Sequence, residues 1–372
     1  MGLVETDELR ELREVLRRFL TEHAPVAEAR RLMATRDGLD RGLWRRMAGE
    51  LGLQGLAVPE EHGGSGFGAR ELAVVFEEMG RVLFCGPFLA TVGLALPAAE
   101  AALATAASGE AADVLAGIAD GSTVATLAWT EDDRWDAPPA TSSENGVLTG
   151  TKTYVLDGHT ADVVLVTARR DGATALFAVD GDAPGLTRTP LPTLDQTRKL
   201  ARLDFDSVPA RLLTESGDAA LARARDVAAA LLAAEQVGGA ERGLEMTVEY
   251  VKVRKQFGRA IGSFQAVKHR CADMFVQVES ARSAMLNAVD AADNAPEELP
   301  TAAALAKAFC SDAYFHVTAE TIQLHGGIGF TWEHDAHLYF KRARASQELF
   351  GPPADHRRRL AGLVGITGAA TA

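Results

Sequence analysis

The sequence predicts an α+β chain of three domains: helices over residues 1–120, a small antiparallel β-domain over 121–215, and a helical bundle over 216–372. Three observations predict it. Apolar residues recur at helical spacing up to about Glu100. Near Gly121 the pattern shortens into alternating or β-branched runs cut by Gly, Asp, Asn and Pro. After Ser216 long helical patterns return and continue to about Leu349.

Taken in order, Leu9, Leu12, Leu16, Phe19 and Leu20 form one apolar stripe with charges opposite, the mark of an amphipathic helix. A second helix over Leu43–Leu53 runs into LQGLAVPEEHGGSGFG, where Pro59 and the glycines from Gly63 to Gly68 force a loop. Gly64, Gly66 and Ala69 satisfy a GxGxxA dinucleotide fingerprint. That fingerprint has meaning only between a strand and a helix, and here a helix precedes it, so a turn is expected. Helical pattern resumes over Glu71–Leu83 and the Ala-rich Leu94–Ile118. Strands are expected at Thr123–Trp129, Val147–Leu156, Val163–Thr167, Ala175–Val179 and Leu203–Phe205, which suits a barrel or sandwich. Helices are expected over Asp218–Val253, Ala266–Asn294, Ala302–Leu324 and Ala336–Leu349, an antiparallel bundle. The small-residue tail Gly365–Ala372 is expected to fray.

The 372 residues suffice for two or three sizeable cores, and the composition (47% apolar, 24% charged) is that of an ordinary globular chain. A net charge of −13 argues against nucleic acid as a main partner. No uninterrupted apolar run reaches membrane length, so no membrane partner is expected. Cys85, Cys271 and Cys310 lie far apart without CxxC spacing, and the N-terminus is charged and amphipathic, unlike a signal peptide. A cytoplasmic location is the expectation. His334 and His337 beside Glu333 and Asp335 are read as surface or capping residues rather than metal ligands.

The most informative stretch is Val251–Val267, VKVRKQFGRAIGSFQAV. Arg254, Phe257 and Gly258 meet where a helix should stop, and a cation, an aromatic face and a permissive backbone together suit an anionic, ring-bearing ligand. QLHGGIGF, Gln323–Phe330, closes the next helical pattern with a second glycine-bearing end.

Five segments in order carry a family resemblance: GLAVPEEHGGSGFG with EEMGR; LTGTKTYVLDGHTAD; LDFDSVPARLL; EYVKVRKQFGRAIGSFQAVKHRCADM; and QLHGGIGFTWEHD. Together they resemble the acyl-CoA dehydrogenase family over nearly the whole chain. The resemblance implies an N-terminal helical domain, a middle antiparallel β-barrel and a C-terminal four-helix bundle. It implies a flavin enzyme that desaturates acyl-CoA thioesters, a base removing the α proton while the β hydride passes to FAD. It further implies that Arg254, Phe257 and Gln265 meet the pyrophosphate and adenosine end of FAD, with Gln323, Gly326 and Gly327 completing such a site across a subunit interface. Electron-transfer flavoprotein is the acceptor it implies.

The sequence departs from the family where the chemistry lies. Counted without a gap from Gly326–Gly327, the usual base position falls on Phe350; the other known position, counted back from Arg254, falls on Ala228. Neither side chain accepts a proton, and general-base catalysis needs a titratable group within reach. Glu348 and Glu235 are the nearby substitutes, the latter about 10 Å along the helix from Ala228. In the middle domain Trp129, Thr130 and Glu131 keep the start of the family's flavin-contacting segment, but DDRWD replaces the remainder of it. The usual Trp-Ile-Thr beside the flavin becomes Tyr154, Val155 and Leu156. These losses resemble the base-deficient partner subunits of heteromeric actinobacterial acyl-CoA dehydrogenases, including those acting on sterol side chains. The expected partners are an acyl-CoA and a glutamate-bearing homologous subunit in a heterotetramer. Two alternatives stand beside this: a self-sufficient dehydrogenase using Glu235 or Glu348, and a non-catalytic acyl-CoA or flavin binding protein.

Overall fold

In a computed structural model, which describes residues 6–106 and 109–366, the chain divides into two compact units. One comprises the chain up to Ala29, Ala73–Phe84 and everything from Ala229 on; the other comprises Arg30–Leu72 and Cys85–Ala228. Most of the expected tail lies outside the described residues.

The N-terminal helices follow their local signals. Helix α1 (Asp7–His23) starts where the Thr6 hydroxyl accepts from the Leu9 amide, and it buries Leu9, Leu16, Phe19 and Leu20. A short α2 (Val26–Met33) was not legible, having too few residues to show a period. Helix α3 (Arg41–Leu51) is capped by Asp40 and ends on Gly52 in the left-handed region. The GxGxxA loop is a turn after a 3-10 segment (Glu60–His62): a Cβ on Gly64 would lie 2.0 Å from the Val58 carbonyl oxygen. Helix α4 (Ala69–Arg81) follows. The Ala-rich stretch resolves into a buried π-helical segment (Leu89–Ala95), α5 (Leu96–Ala106) and α6 (Gly109–Ala119). Among the described residues, Leu89–Ala106 is the one helix long and apolar enough to cross a membrane; 67% of it is buried inside the protein, as in a core helix.

The β-domain holds β1 (Ala125–Ala128), β2 (Ser142–Glu144), β3 (Val147–Leu156), β4 (Val163–Arg170), β5 (Ala173–Asp180), β6 (Leu186–Leu191), β7 (Leu200–Pro209) and β8 (Arg211–Thr214). It corrects the expected antiparallel barrel. The sheet runs β6-β7-β3-β2-β4-β5-β8 with β1 also on β4, so β6 and β8 stay as edges and the sheet does not close. It is also mixed, because β1 and β2 both run parallel to β4. The edges explain themselves: β6 carries Pro190, which cannot donate to a ladder, and β8 has only four residues. Strands β2, β6 and β8 lack apolar alternation and escaped the sequence reading. Inside, Val164, Val166 and Ala168 of β4 pack with Ala175, Phe177 and Val179 of β5 and with Leu203 and Phe205 of β7. Full burial of the Val, Leu and Phe side chains among them stabilises by about 1.5–3 kcal/mol each.

The C-terminal helices match their expected spans closely: α7 (Gly217–Val253), α8 (Gln265–Asn294), α9 (Leu299–His325) and α10 (Ala336–Glu348). A fifth, α11 (Pro353–Leu363), was not expected; Pro353 at its first turn starts it rather than stopping a helix. Helix α4 meets α7 at two glycines. A Cβ on Gly80 would fall 2.1 Å from the Glu235 carbonyl oxygen, and one on Gly238 would fall 1.9 Å from that of Glu77. This close crossing brings Glu77 and Glu78 of α4, both almost fully buried, against arginines of α1 and α8. Arg13 reaches Glu77 and Glu78, Arg17 reaches Glu78, and Arg282 reaches Glu77 and Glu241.

Candidate functional site

At one end of the bundle, α7 stops at Val253, before the glycine expected to end it. The chain then makes a small hairpin, β9 (Lys255–Gln256) against β10 (Arg259–Ala260). Its two-residue turn is Phe257 at φ +52° and Gly258 at φ +77°, and tight hairpins of this kind require positive φ at both central positions. The turn holds the Phe257 ring 91% exposed, edge-on to Phe264, whose face carries the Arg259 guanidinium at 4.0 Å. Arg254 is exposed, and among the described residues no ion pair is formed by its guanidinium. Gln265, the first residue of α8, is exposed too, its amide near the His269 ring.

The second predicted cluster reaches the same end. His325 closes α9, buried, with Nδ1–H donating to the Thr321 carbonyl at 2.7 Å and its ring stacked on Tyr250 of α7 at 4.5 Å. Burial holds this imidazole below its usual pKa. Thr247 to Thr321 at 3.2 Å fastens the same two helices, and Arg270 to Glu320 at 3.3 Å ties α8 to α9. Gln323 is exposed, and a Cβ on Gly326 or Gly327 would meet nothing within 4 Å, so their backbone opens on free space. The bundle end thus presents a guanidinium without a carboxylate, an exposed ring, two amides and two bare glycines. Nearby, His334 Nδ1 accepts from the Ala336 amide as a cap, and the His337 ring lies edge-on to Trp332. Among the described residues no group of three or more His, Cys, Asp or Glu is placed to hold a metal.

The positions named for a base are occupied otherwise. Ala228 is fully buried. Phe350 is 2% exposed in a turn after α10 where Phe350 (φ +63°) and Gly351 (φ +102°) are both left-handed. For a residue with a Cβ that conformation costs about 1–2 kcal/mol. Glu235 is buried and accepts from Arg342 Nη1 at 2.9 Å, while Arg342 Nη2 donates to the Phe84 carbonyl. Glu348 is an exposed residue paired with Arg344 one helical turn back at 2.9 Å. One carboxylate is held in an internal ion pair and the other stands on the surface.

In the β-unit the predicted residues do come together. Thr153 N donates to the Thr130 carbonyl at 2.8 Å, beside Trp129 and Tyr154. Between the two rings stands Trp135 of the DDRWD segment, 5.6 Å from Trp129 and 6.0 Å from Tyr154, its carbonyl accepting from Trp129 Nε1–H. Asp133 accepts from the Tyr154 hydroxyl and raises its pKa. Glu131 turns inward, taking the Ala140 and Thr141 amides and the ammonium of Lys152, itself fully buried. Burial works against charge on Glu131, but the Lys152 ammonium outweighs it and leaves this carboxyl below its usual range. The same burial brings Lys152 down to about 8 despite Glu131. Lys152 was missed, yet it shares its face of β3 with the buried Leu148, so period-two alternation marks it. Lys307 and His356, also missed, hold the Phe350 turn; no local pattern distinguishes them from surface residues.

Comparison with known proteins accords with these features. Residues 6–122 match the N-terminal domain of acyl-CoA dehydrogenase, and residues 216–363 match the C-terminal domain. The chain is 40% identical to the acyl-CoA dehydrogenase IpdE2 of Mycobacterium tuberculosis, over 95% of this chain and 96% of that one. Among solved structures it is similar to a chain of a variant of the Tcur3481–Tcur3483 steroid acyl-CoA dehydrogenase. There the TM-score is 0.88 and the identity 35%, over 97% of this chain and 98% of the other. It is similar also to a chain of the ChsE4–ChsE5 complex from Mycobacterium tuberculosis, with TM-score 0.88 and 29% identity over 99% and 100%. With two domain matches, a relative of this identity aligned end to end, and the glycine-bearing bundle end in place, this chain belongs to the acyl-CoA dehydrogenase family of oxidoreductases.

Proposed function

We propose that this chain is the base-lacking subunit of a heteromeric, FAD-dependent acyl-CoA dehydrogenase, working beside a homologous chain that carries the catalytic glutamate. The observation that carries the proposal is the state of the four candidate positions. Phe350 and Ala228 are buried and cannot accept a proton, Glu235 is tied to Arg342, and Glu348 stands on the surface with Arg344. A base must reach the α proton of a bound thioester, and none of the four is both titratable and unengaged. Similarity to chains of the steroid dehydrogenase and of the ChsE4–ChsE5 complex favours a two-chain assembly and a bulky acyl group. So does the surface of the bundle, where Phe257, Phe275, Val276, Phe330 and Trp332 are all more than half exposed. Exposed apolar area of this kind marks a face that another protein covers.

The two halves of the implied FAD site fit unequally. At the bundle end the unpaired Arg254 guanidinium suits a pyrophosphate, Phe257 offers a ring face, and Gly326 and Gly327 let backbone N–H groups approach an anion. Gln265 and Gln323 would add donors and acceptors. The β-face suits a flavin ring poorly, because Trp135 already fills the space between Trp129 and Tyr154. When bound, FAD supplies the acceptor for the β hydride; this chain's part is to grip the cofactor's phosphate end and to wall the acyl site. Electron-transfer flavoprotein as acceptor and a cytoplasmic location complete the proposal.

The test is an absorbance spectrum and an acyl-CoA turnover assay on the chain alone and co-purified with a glutamate-bearing homologue. Flavin colour and turnover are expected only together with the partner. A yellow homomeric preparation that oxidises acyl-CoA would overturn the reading.

A further inference from the structure

The centre of the bundle holds a lysine that the proposed function does not use. Lys307 of α9 has no exposed surface, and no carboxylate lies within hydrogen-bonding distance of its amine among the described residues. Its Nζ bonds instead to three neutral oxygens: it donates to the Gln347 and Gly351 carbonyls, both at 3.2 Å, and pairs with the Ser311 hydroxyl at 3.0 Å. Ser311 is held in turn by Gln236 of α7 at 3.0 Å. The two carbonyls flank Phe350, whose own carbonyl accepts from Nε2–H of the buried His356 on α11 at 3.1 Å. Two carbonyls of the left-handed turn and one of the last turn of α10 are thus bonded by two buried side chains. Strained backbone persists where its surroundings over-determine it.

We propose that Lys307 and His356 are positioning residues that clamp the Leu349–Pro352 turn in its left-handed form, so that Phe350 stands as a fixed wall where the family carries its base. The inference rests on the reading of Phe350 given above, but its test reads the turn and not the reaction. A buried polar group with three well-placed partners is a specific fastening, since removing it takes the partner from the buried bond to the Gly351 carbonyl.

The clamp has a signature that ordinary packing lacks. Burial brings the Lys307 amine down to about 7, against opposing contributions from Glu348 of α10 and from Cys310 and Asp312 of α9. Asp312 is paired with Arg357 of α11, which also sets His356 against the turn; α7 contributes the neutral Gln236 beside Glu235, itself held by Arg342; and the Cys310 thiol is pushed up to about 12 and stays protonated. The folded pKa therefore lies below the ordinary lysine value. An opening that wets Lys307 takes up a proton that the closed turn does not hold. Opening is then suppressed as pH rises from about 7 toward 10.5, by up to about tenfold per pH unit.

Amide hydrogen exchange on the full-length chain reads this directly, at the Leu349 and Gly351 amides, which donate to Ala345 and Glu348. After division by the intrinsic chemical rate, wild-type protection of the turn should climb between pH 7 and 9. In Lys307→Met it should be at least about tenfold lower at pH 7 and flat with pH, while peptides of α8 keep their wild-type rates. His356→Leu should also loosen the turn, and His356→Gln, which retains a donor, should restore it. If Lys307→Met fails to fold, the wild-type pH profile and the His356 pair decide. Protection independent of pH in the wild type, or unchanged in Lys307→Met and His356→Leu, overturns the proposal. Failure of the partner-subunit reading would appear separately, as turnover by the chain alone.

Discussion

Two regions of the C-terminal bundle are built in opposite ways. Where α7 and α9 end, groups face outward: among the described residues no carboxylate pairs with Arg254, Phe257 is almost fully exposed, and Gly326 and Gly327 open on empty space. After α10 the reverse holds, with Phe350 buried, its flanking carbonyls bonded to Lys307 and its own to His356, and Glu235 neutralised by Arg342. A site prepared for a ligand carries unmet demands, whereas a site given up for chemistry is satisfied internally. This chain shows the first at the bundle end proposed to grip the cofactor's phosphates and the second around the position proposed for a base. The aromatic stack on the β-unit, with Trp135 between Trp129 and Tyr154, belongs with the closed kind.

The largest expected effect tests the closed region. Arg342→Met would leave Glu235 buried without its cation, and loss of one partner of a buried pair costs about 3–5 kcal/mol. Chemical denaturation should show that loss; a change below about 1 kcal/mol would mean that Glu235 tolerates isolation and should be tested as a base. Next comes the open region. Arg254→Ala in the assembled enzyme should weaken FAD binding by about 1.5–3 kcal/mol, or roughly ten- to a hundredfold, the worth of a charge-assisted hydrogen bond. A flavin fluorescence titration measures it, and unchanged affinity would remove Arg254 from the site. Trp135→Ala should cost about 1–2 kcal/mol through two aromatic contacts. If the closed reading of the β-face is right, the variant should gain no flavin by itself; a yellow variant would show that Trp135 alone excludes the ring. The smallest effect belongs to Glu348→Gln, which removes an exposed pair worth about 0.3–0.5 kcal/mol and should leave turnover of the complex intact. A large loss of rate would restore Glu348 as the base.

Much of the helical framework was legible because its signals are local. Spans α7 to α10 fell within a few residues of expectation, since long apolar periods and capping residues need no partner to be recognised. Edge strands β6 and β8 were not legible, because half-exposed strands do not alternate clearly, and closure of the sheet was wrongly expected. The decoy glycines were read correctly from context, and the close approach of Gly64 to Val58 gives the physical reason that a glycine stands there.

At the candidate site the division is sharper. The sequence by itself determined that glycines and an arginine stand at helix ends, and that Phe350 and Ala228 cannot take a proton, because residue identity and chain distance suffice for both. Only the tertiary structure decided that Arg254 forms no ion pair among the described residues, that Glu235 is claimed by Arg342 across 107 residues, and that Lys307 reaches the carbonyl of Gly351 across 44. A charge is defined by the partners that surround it, and those partners come from distant parts of the chain that folding alone assembles.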